Sequence, residues 1–189
     1  MFLRWIILVL VFILQGCVVS GAVTGAQLYM DRDELRTTYD NQSITYDAYQ
    51  AVENDSVLST QTNITMSNFN HILLMTGQAP TPELKQQAED LVKKIPGVRY
   101  VLNDIVIGEP TSGWQHTQDA WITTKIKTKM ITTNGLTPGN FKVVTEDGIV
   151  YLMGAAPPDQ VEKAVEIARN TDGVTKVVKL VYYIYYSVG

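Results

Sequence analysis

Trp121, Thr124, Lys125, Lys127, Thr128 and Ile131 are the residues whose types and spacing suit a chemical task, and the task is adhesion to a charged, half-apolar surface. At about 100° per residue, a helix from Asp119 to Ile131 gathers Trp121, Thr124, Thr128 and Ile131 into one stripe, with Lys125 on one flank and Lys127 on the other. A tryptophan ring settles at the headgroup level of a bilayer while its indole N–H stays hydrated. Each lysine near an anionic leaflet contributes ~1 kcal/mol, so Lys125, Lys127 and Lys129 would turn weak insertion into useful, salt-dependent binding. The alternative is that Trp121 packs against another part of the chain and the lysines form a solvated face. The same helix carries a second stripe, Ile122, Ile126 and Met130, whose i, i+4, i+8 spacing is that of a core contact.

Other reactive side chains do not converge. His71 falls in an expected strand and His116 in an expected linker, which gives no metal-ligand spacing. Asp31, Asp33 and Glu34 lie in a spacer without a pocket in which paired carboxylates could act. No phosphate-cradling glycine loop or nucleophile elbow is present. The expectation is therefore a protein that is not an enzyme, with no catalytic residue, no metal and no cofactor. The net charge of −4 shows no general nucleic-acid footprint. It also hides an asymmetry: acids outnumber bases eight to four between Asp40 and Gly108, whereas seven acids meet eight bases between Thr117 and Tyr185.

The elements that must position the helix begin at the N-terminus. Met1 to Arg4 precede the apolar run Trp5 to Leu14, too short to cross a bilayer comfortably, and the plan is that of a secretory signal peptide over residues 1–16. Leu14-Gln15-Gly16-Cys17 resembles the bacterial lipobox, after which Cys17 receives a diacylglyceryl group and a further acyl chain such as palmitate. Each buried CH₂ contributes about 0.8 kcal/mol, and two or more chains make a stable anchor. Val18 in place of Asp points, by similarity to enterobacterial lipoproteins, to the outer membrane. Cys17 is the only cysteine, so no intramolecular disulfide can form. The alternative is an uncleaved anchor beside a free thiol.

Residues 17–40 form the lipidated N-terminus and a spacer, with room for a short helix. Beyond them the chain repeats. Thr45-Tyr46-Asp47-Ala48-Tyr49 recurs as Thr117-Gln118-Asp119-Ala120-Trp121, each a helix start that Thr or Asp could cap. Strands at Ile64 to Met66 and Phe141 to Val143 lead through polar turns, Ser67 to Asn70 and Glu146-Asp147-Gly148, the second being the stronger hairpin signal. Returning strands end on Gly77 and Gly154, which mark close approach of the backbone to a helix. Helices opened by Pro82-Glu83 and Pro158-Asp159 end at Gly97 and Gly173, where positive φ is expected. Final strands run from Arg99 to Ile107 and from Lys176 to Ile184. A unit of this length sits near the lower limit for an independent core, so the units should pack together. The closing Tyr182-Tyr183-Ile184-Tyr185-Tyr186 places tyrosines on both faces of a strand, either as an edge that recruits a protein or half-buried against the first unit.

The glycine closing the second strand, the Pro/acid helix start and the Gly-Val before the last strand resemble the BON domain, named for bacterial outer-membrane and nodulation proteins. Trp121-Ile122-Thr123-Thr124-Lys125 and Tyr151-Leu152-Met153-Gly154 carry the resemblance in the second copy. It implies an α+β fold of two tandem BON domains, at residues 41–109 and 117–186 around a linker at 110–116. Each would be αββαβ, a three-stranded mixed sheet packed against two helices. It further implies no enzymatic activity and binding of anionic phospholipid (phosphatidylglycerol, cardiolipin) through Trp121, Thr124, Lys125, Lys127, Thr128 and Ile131. The location implied is the periplasmic face of the outer membrane, with a part in envelope integrity, enrichment at division sites and association with the outer-membrane assembly machinery. The competing reading is a protein-binding adaptor that uses the same helix or the Tyr-rich strand.

Overall fold

The computed structural model describes residues 32–109 and 113–185. The expected signal peptide, Cys17, residues 110–112 of the linker, the side chain of Trp114 and Tyr186 lie outside the described residues. The first repeat is α1 (Arg32–Glu53), α2 (Ser56–Gln61), β1 (Asn63–Phe69), β2 (Ile72–Ala79), α3 (Pro82–Val92), β3 (Tyr100–Asn103) and β4 (Val106–Ile107). The second is α4 (Gly113–Thr132), a 3₁₀ turn (Pro138–Asn140), β5 (Phe141–Glu146), β6 (Ile149–Ala156), α5 (Pro158–Arg169) and β7 (Lys176–Tyr183). In each, a hairpin supplies an antiparallel pair and the last strand returns parallel to the middle one. The fold is α+β, twice over, with two mixed sheets.

Several local expectations are corrected. The first sheet has four strands, because its last strand breaks at Asp104 and Ile105 into β3 and β4. Ile105 turns into the core at 2% exposure, and its carbonyl accepts from Lys85 Nζ at 2.6 Å. Asp47 and Asp119 start no helix, since α1 and α4 run well upstream of them. The first copy's opening helix, expected from Asp47 to Leu58, ends instead at Glu53, and Asp55 opens α2 by accepting from the N–H groups of Val57 and Leu58. Its hairpin turn is Asn70-His71, at φ 48 and 66, with β1 continuing through Phe69. His71 thus sits in a turn and not in a strand, and its Nδ1–H donates to the carbonyl of Gly97 at 2.7 Å.

The repeat register of the first helices also differs from the motif match. A Cβ on Gly97 would meet Ile44 Cδ1 at 3.0 Å, and one on Gly173 would meet Ile122 Cδ1 at 3.0 Å. Ile44 therefore answers Ile122, and the counterpart of Asp119 is Asn41. A short motif inside a helix can match in several registers, whereas packing on a glycine loop admits one.

Three apolar clusters hold the molecule. Ile44, Ala48 and Val52 of α1 with Leu73 and Met75 of β2 and Leu84, Ala88 and Val92 of α3 form the first. Ile122, Ile126 and Met130 of α4 with Val150 and Leu152 of β6 and Val161, Ala164 and Ala168 of α5 form the second. The third joins the repeats: Ile72 and Leu74 on the other face of β2 pack with Tyr151 and Met153 of β6. The two sheets therefore meet through the faces opposite their helices. This is why Ile72-Leu73-Leu74-Met75 and Tyr151-Leu152-Met153 are unbroken apolar runs with no alternation. β2 is buried along its whole length.

Candidate functional site

Opposite the core stripe of α4, the residues that the helical spacing gathers share one outer arc. Trp121 is 64% and Ile131 71% exposed, and Thr124, Lys127 and Thr128 between them are also exposed. Lys125 is half-buried at the edge of this arc. Trp121 and Ile131, half the length of α4 apart, have no partner among the apolar clusters of the described residues.

The three lysines are not equivalent. Lys125 Nζ donates to the carbonyl of Asp172 at 2.9 Å, and Lys129 Nζ donates to the carbonyl of Asn170 at 3.3 Å and to Thr171 Oγ1 at 3.1 Å. Both thus bind the carbonyl-rich end of α5, where cations are favoured, and Lys129 is drawn away from the outer arc. Lys127 lies on the other flank, near Lys142 of β5. Burial, and after it the charge of Lys127, lowers Lys142 from the usual lysine range. Lys142 Nζ donates to the carbonyl of Asn68 in the first repeat at 3.1 Å. Only the fold brings Lys142 beside Lys127, and its ammonium is committed to the first repeat.

What holds α4 in place is Asp119. It is 4% exposed, and its carboxylate accepts from the backbone N–H groups of Asp147 and Gly148, each at 2.9 Å. The residue that looked like a cap for its own helix instead caps the hairpin tip between β5 and β6. Thr123 Oγ1 and Thr145 Oγ1, 2.7 Å apart, add a second tie to β5. The sequence signal for Asp119 was an acid three residues before the apolar stripe; its partner could not be read locally.

Polar groups also bridge the two repeats. Tyr151 O–H donates to Asp104 Oδ2 at 2.6 Å, and Gln78 Nε2 donates to Asp147 Oδ2 at 3.5 Å. Burial and the Asp104 hydrogen bond raise the Tyr151 hydroxyl pKa. Glu146 is 7% exposed, and burial pushes its carboxyl above the usual range; His116 opposes this, while Asp147 and Asp119 add to it. His116 itself is exposed and does not approach His71 in any metal arrangement: among the described residues, no group of three or more His, Cys, Asp or Glu side chains is placed to hold a metal ion.

The glycines are accounted for by contacts. Gly77 has φ +102 and no room for a Cβ, which would lie 2.0 Å from the carbonyl oxygen of Asn63. A Cβ on Gly154 would lie 2.7 Å from the Phe141 ring and 2.8 Å from the carbonyl of Asn140. Both glycines admit the start of a neighbouring strand, not a helix as the sequence suggested. Gly97 and Gly173 have φ +90 and +93 and seat Ile44 and Ile122, which lie near the middles of α1 and α4.

A duplicated αββαβ unit whose two mixed sheets stack through the faces opposite their helices defines a tandem α+β protein. The chain belongs to the BON domain family, whose model matches residues 40–109 and 118–183. It is a tandem-BON protein similar to the outer membrane lipoprotein DolP of Haemophilus influenzae, at 30% identity over 174 residues and 90% of each chain. It is also similar to a 21 kDa hemolysin of Actinobacillus pleuropneumoniae, at 37% identity over 69% of this chain and 67% of that one. The osmotically-inducible protein Y of Escherichia coli K12 is 26% identical over 81% of this chain and 77% of its own. The likeness to an outer membrane lipoprotein supports an outer-membrane envelope location.

Proposed function

We propose that this protein is anchored through a lipidated Cys17 at the periplasmic face of the outer membrane and docks a second time on anionic phospholipid through the outer arc of α4. The observation that carries the reading is the pairing of Trp121 and Ile131, 64% and 71% exposed, on a helix whose opposite stripe is fully committed to the core. Thr124 and Thr128 lie between the two apolar anchors, the Thr124 O–H donating to the carbonyl of Ala120 at 2.8 Å; Lys127 faces the headgroups, and Lys125 keeps further donors beyond its bond to Asp172. No bond is made or broken in this function.

The first repeat does not share it. In the register set by Ile44 and Ile122, the outer face of α1 presents Tyr46, Asp47, Gln50 and Glu53, and no lysine or arginine occurs from Thr37 to Glu53. Two acids would be repelled by an anionic leaflet at the depth where Lys125 and Ile131 would sit.

Vesicle flotation tests the proposal. The fragment from Val18 should bind vesicles containing phosphatidylglycerol or cardiolipin, weaken as salt rises, and lose at least about ten-fold in affinity on Trp121→Glu, since a buried ring is replaced by a repelled charge. Lys127→Glu should weaken binding less. Equal binding to zwitterionic vesicles, or none to either kind, rules the proposal out.

A further inference from the structure

The connection that follows α4 holds a reactive pair. Of the nine asparagines in the chain, Asn134 alone precedes a glycine. Asn134 and Gly135 lie just past the end of α4 at Thr132, and both are exposed. Among the described residues, neither the Gly135 N–H nor the Asn134 side chain makes a hydrogen bond. Other asparagines are held: the side-chain amides of Asn63, Asn68, Asn103 and Asn170 all donate to fixed acceptors. In the first domain the same connection, between α1 and β1, is built around α2 and contains no Asn-Gly pair.

An asparagine before glycine loses its amide without an enzyme. The glycine nitrogen, once deprotonated, attacks the asparagine Cγ; a C–N bond forms, the bond to the side-chain NH₂ breaks, and ammonia leaves behind a five-membered succinimide. Water then opens the ring at either carbonyl to give aspartate or isoaspartate. One water is consumed and one ammonia released, with no oxidant or reductant. Glycine favours the closure because no Cβ obstructs it and φ of either sign is open to it; Gly135 has φ +73. Lys163 of α5 supplies a second condition. Its Nζ donates to the carbonyl of Asn134 at 3.4 Å and to that of Gly135 at 3.5 Å. The first of these oxygens belongs to the peptide whose nitrogen must shed its proton, so an ammonium beside it stabilises the attacking anion.

We propose that Asn134 is a self-modifying site, at which Gly135 supplies the nucleophile and Lys163 promotes its deprotonation, and that the conversion weakens membrane docking by α4. The consequence rests on the docking proposed above. The new carboxylate stands three residues beyond Ile131, with its Cα no more than about 11 Å away, where an anionic leaflet repels it. It also stands at the carbonyl end of α4, where an anion is disfavoured. Pairing with Lys163 does not offset this, because the local charge falls by one unit in either case. The isoaspartate form also inserts a methylene into the main chain and redirects the loop.

The test holds the full chain in detergent in a mildly alkaline buffer and follows the peptide from Met130 to Lys142 by mass spectrometry. Asn134 is expected to convert before any other asparagine. Lys163→Gln should slow the conversion about three-fold in the folded chain and not in urea, and Lys163→Arg should restore most of it; a merely structural Lys163 would loosen the loop when replaced and speed the reaction instead. On vesicles containing phosphatidylglycerol, Asn134→Asp should bind about five-fold more weakly than the fresh chain at an unchanged melting midpoint. Asn134→Gln, which closes the ring far less readily, should stay unconverted and bind as the fresh chain does. The proposal is overturned if another asparagine converts first, if Lys163→Gln leaves the rate unchanged or raises it, or if Asn134→Asp binds undiminished. Failure of the docking reading looks different: Trp121→Glu then has no effect on binding, while the conversion of Asn134 and its dependence on Lys163 persist.

Discussion

Asp119 shows how one residue type can be right and its role misassigned. Next to an apolar stripe, an aspartate has the signature of an N-cap, yet α4 continues upstream of it and its carboxylate is spent on the amides of Asp147 and Gly148. Both amides would otherwise be left without an acceptor in a site where Gly148 is buried. Asp119→Ala should therefore destabilise the protein by about 2–3 kcal/mol, measured by urea unfolding, with Asp119→Asn costing less because one acceptor oxygen remains. If the loss matches that of an exposed aspartate, the carboxylate is not what fixes the hairpin to the helix. The lysines follow the same logic. All were legible as positive charges, but only their distance to the end of α5 separates Lys125 and Lys129, which hold carbonyls, from Lys127, which does not.

At the scale of elements, periodicity was a good guide wherever one face was buried and the other was not. Ile122, Ile126 and Met130 are 6%, 0% and 1% exposed, as their spacing requires. Periodicity failed where a tertiary contact interrupts an element, as at Asp104 and Ile105, where α3 reaches over with Lys85. It was also silent about helix register, which Ile44 and Ile122 show to depend on the glycine loops they enter. Glycines at strand ends carried a real signal, although what they admit is a strand. Gly77→Ala would force a residue with a Cβ into φ +102, against the carbonyl of Asn63. A loss of about 3 kcal/mol or more is expected, read as a fall in melting temperature, and Gly108→Ala, with nothing within 4 Å, is the control.

Across the whole molecule, the seam between the sheets decides how the domains respond to pH. Glu146 lies at that seam with Asp147, Asp119, His116 and Gln78 around it. Its folded pKa lies above its unfolded one, so between the two values the folded chain holds more protons. The buried carboxylate therefore costs stability at neutral pH, and that cost is relieved as pH falls through the raised value toward the ordinary glutamate range. Glu146→Gln should raise the melting midpoint at pH 7 and flatten its dependence between pH 7 and 5. An unchanged slope would assign that dependence to other groups.

Composition and order alone determined the duplication, the αββαβ content, the core stripe of α4 and the candidacy of Trp121, because these depend on side-chain type and on helix or strand period. Tertiary structure decided the rest: which lysines remain available, what Asp119 and the glycines contact, and why the apolar strands have two buried faces. Those outcomes rest on contacts between residues far apart in the chain, and a local pattern carries no record of which distant groups will meet.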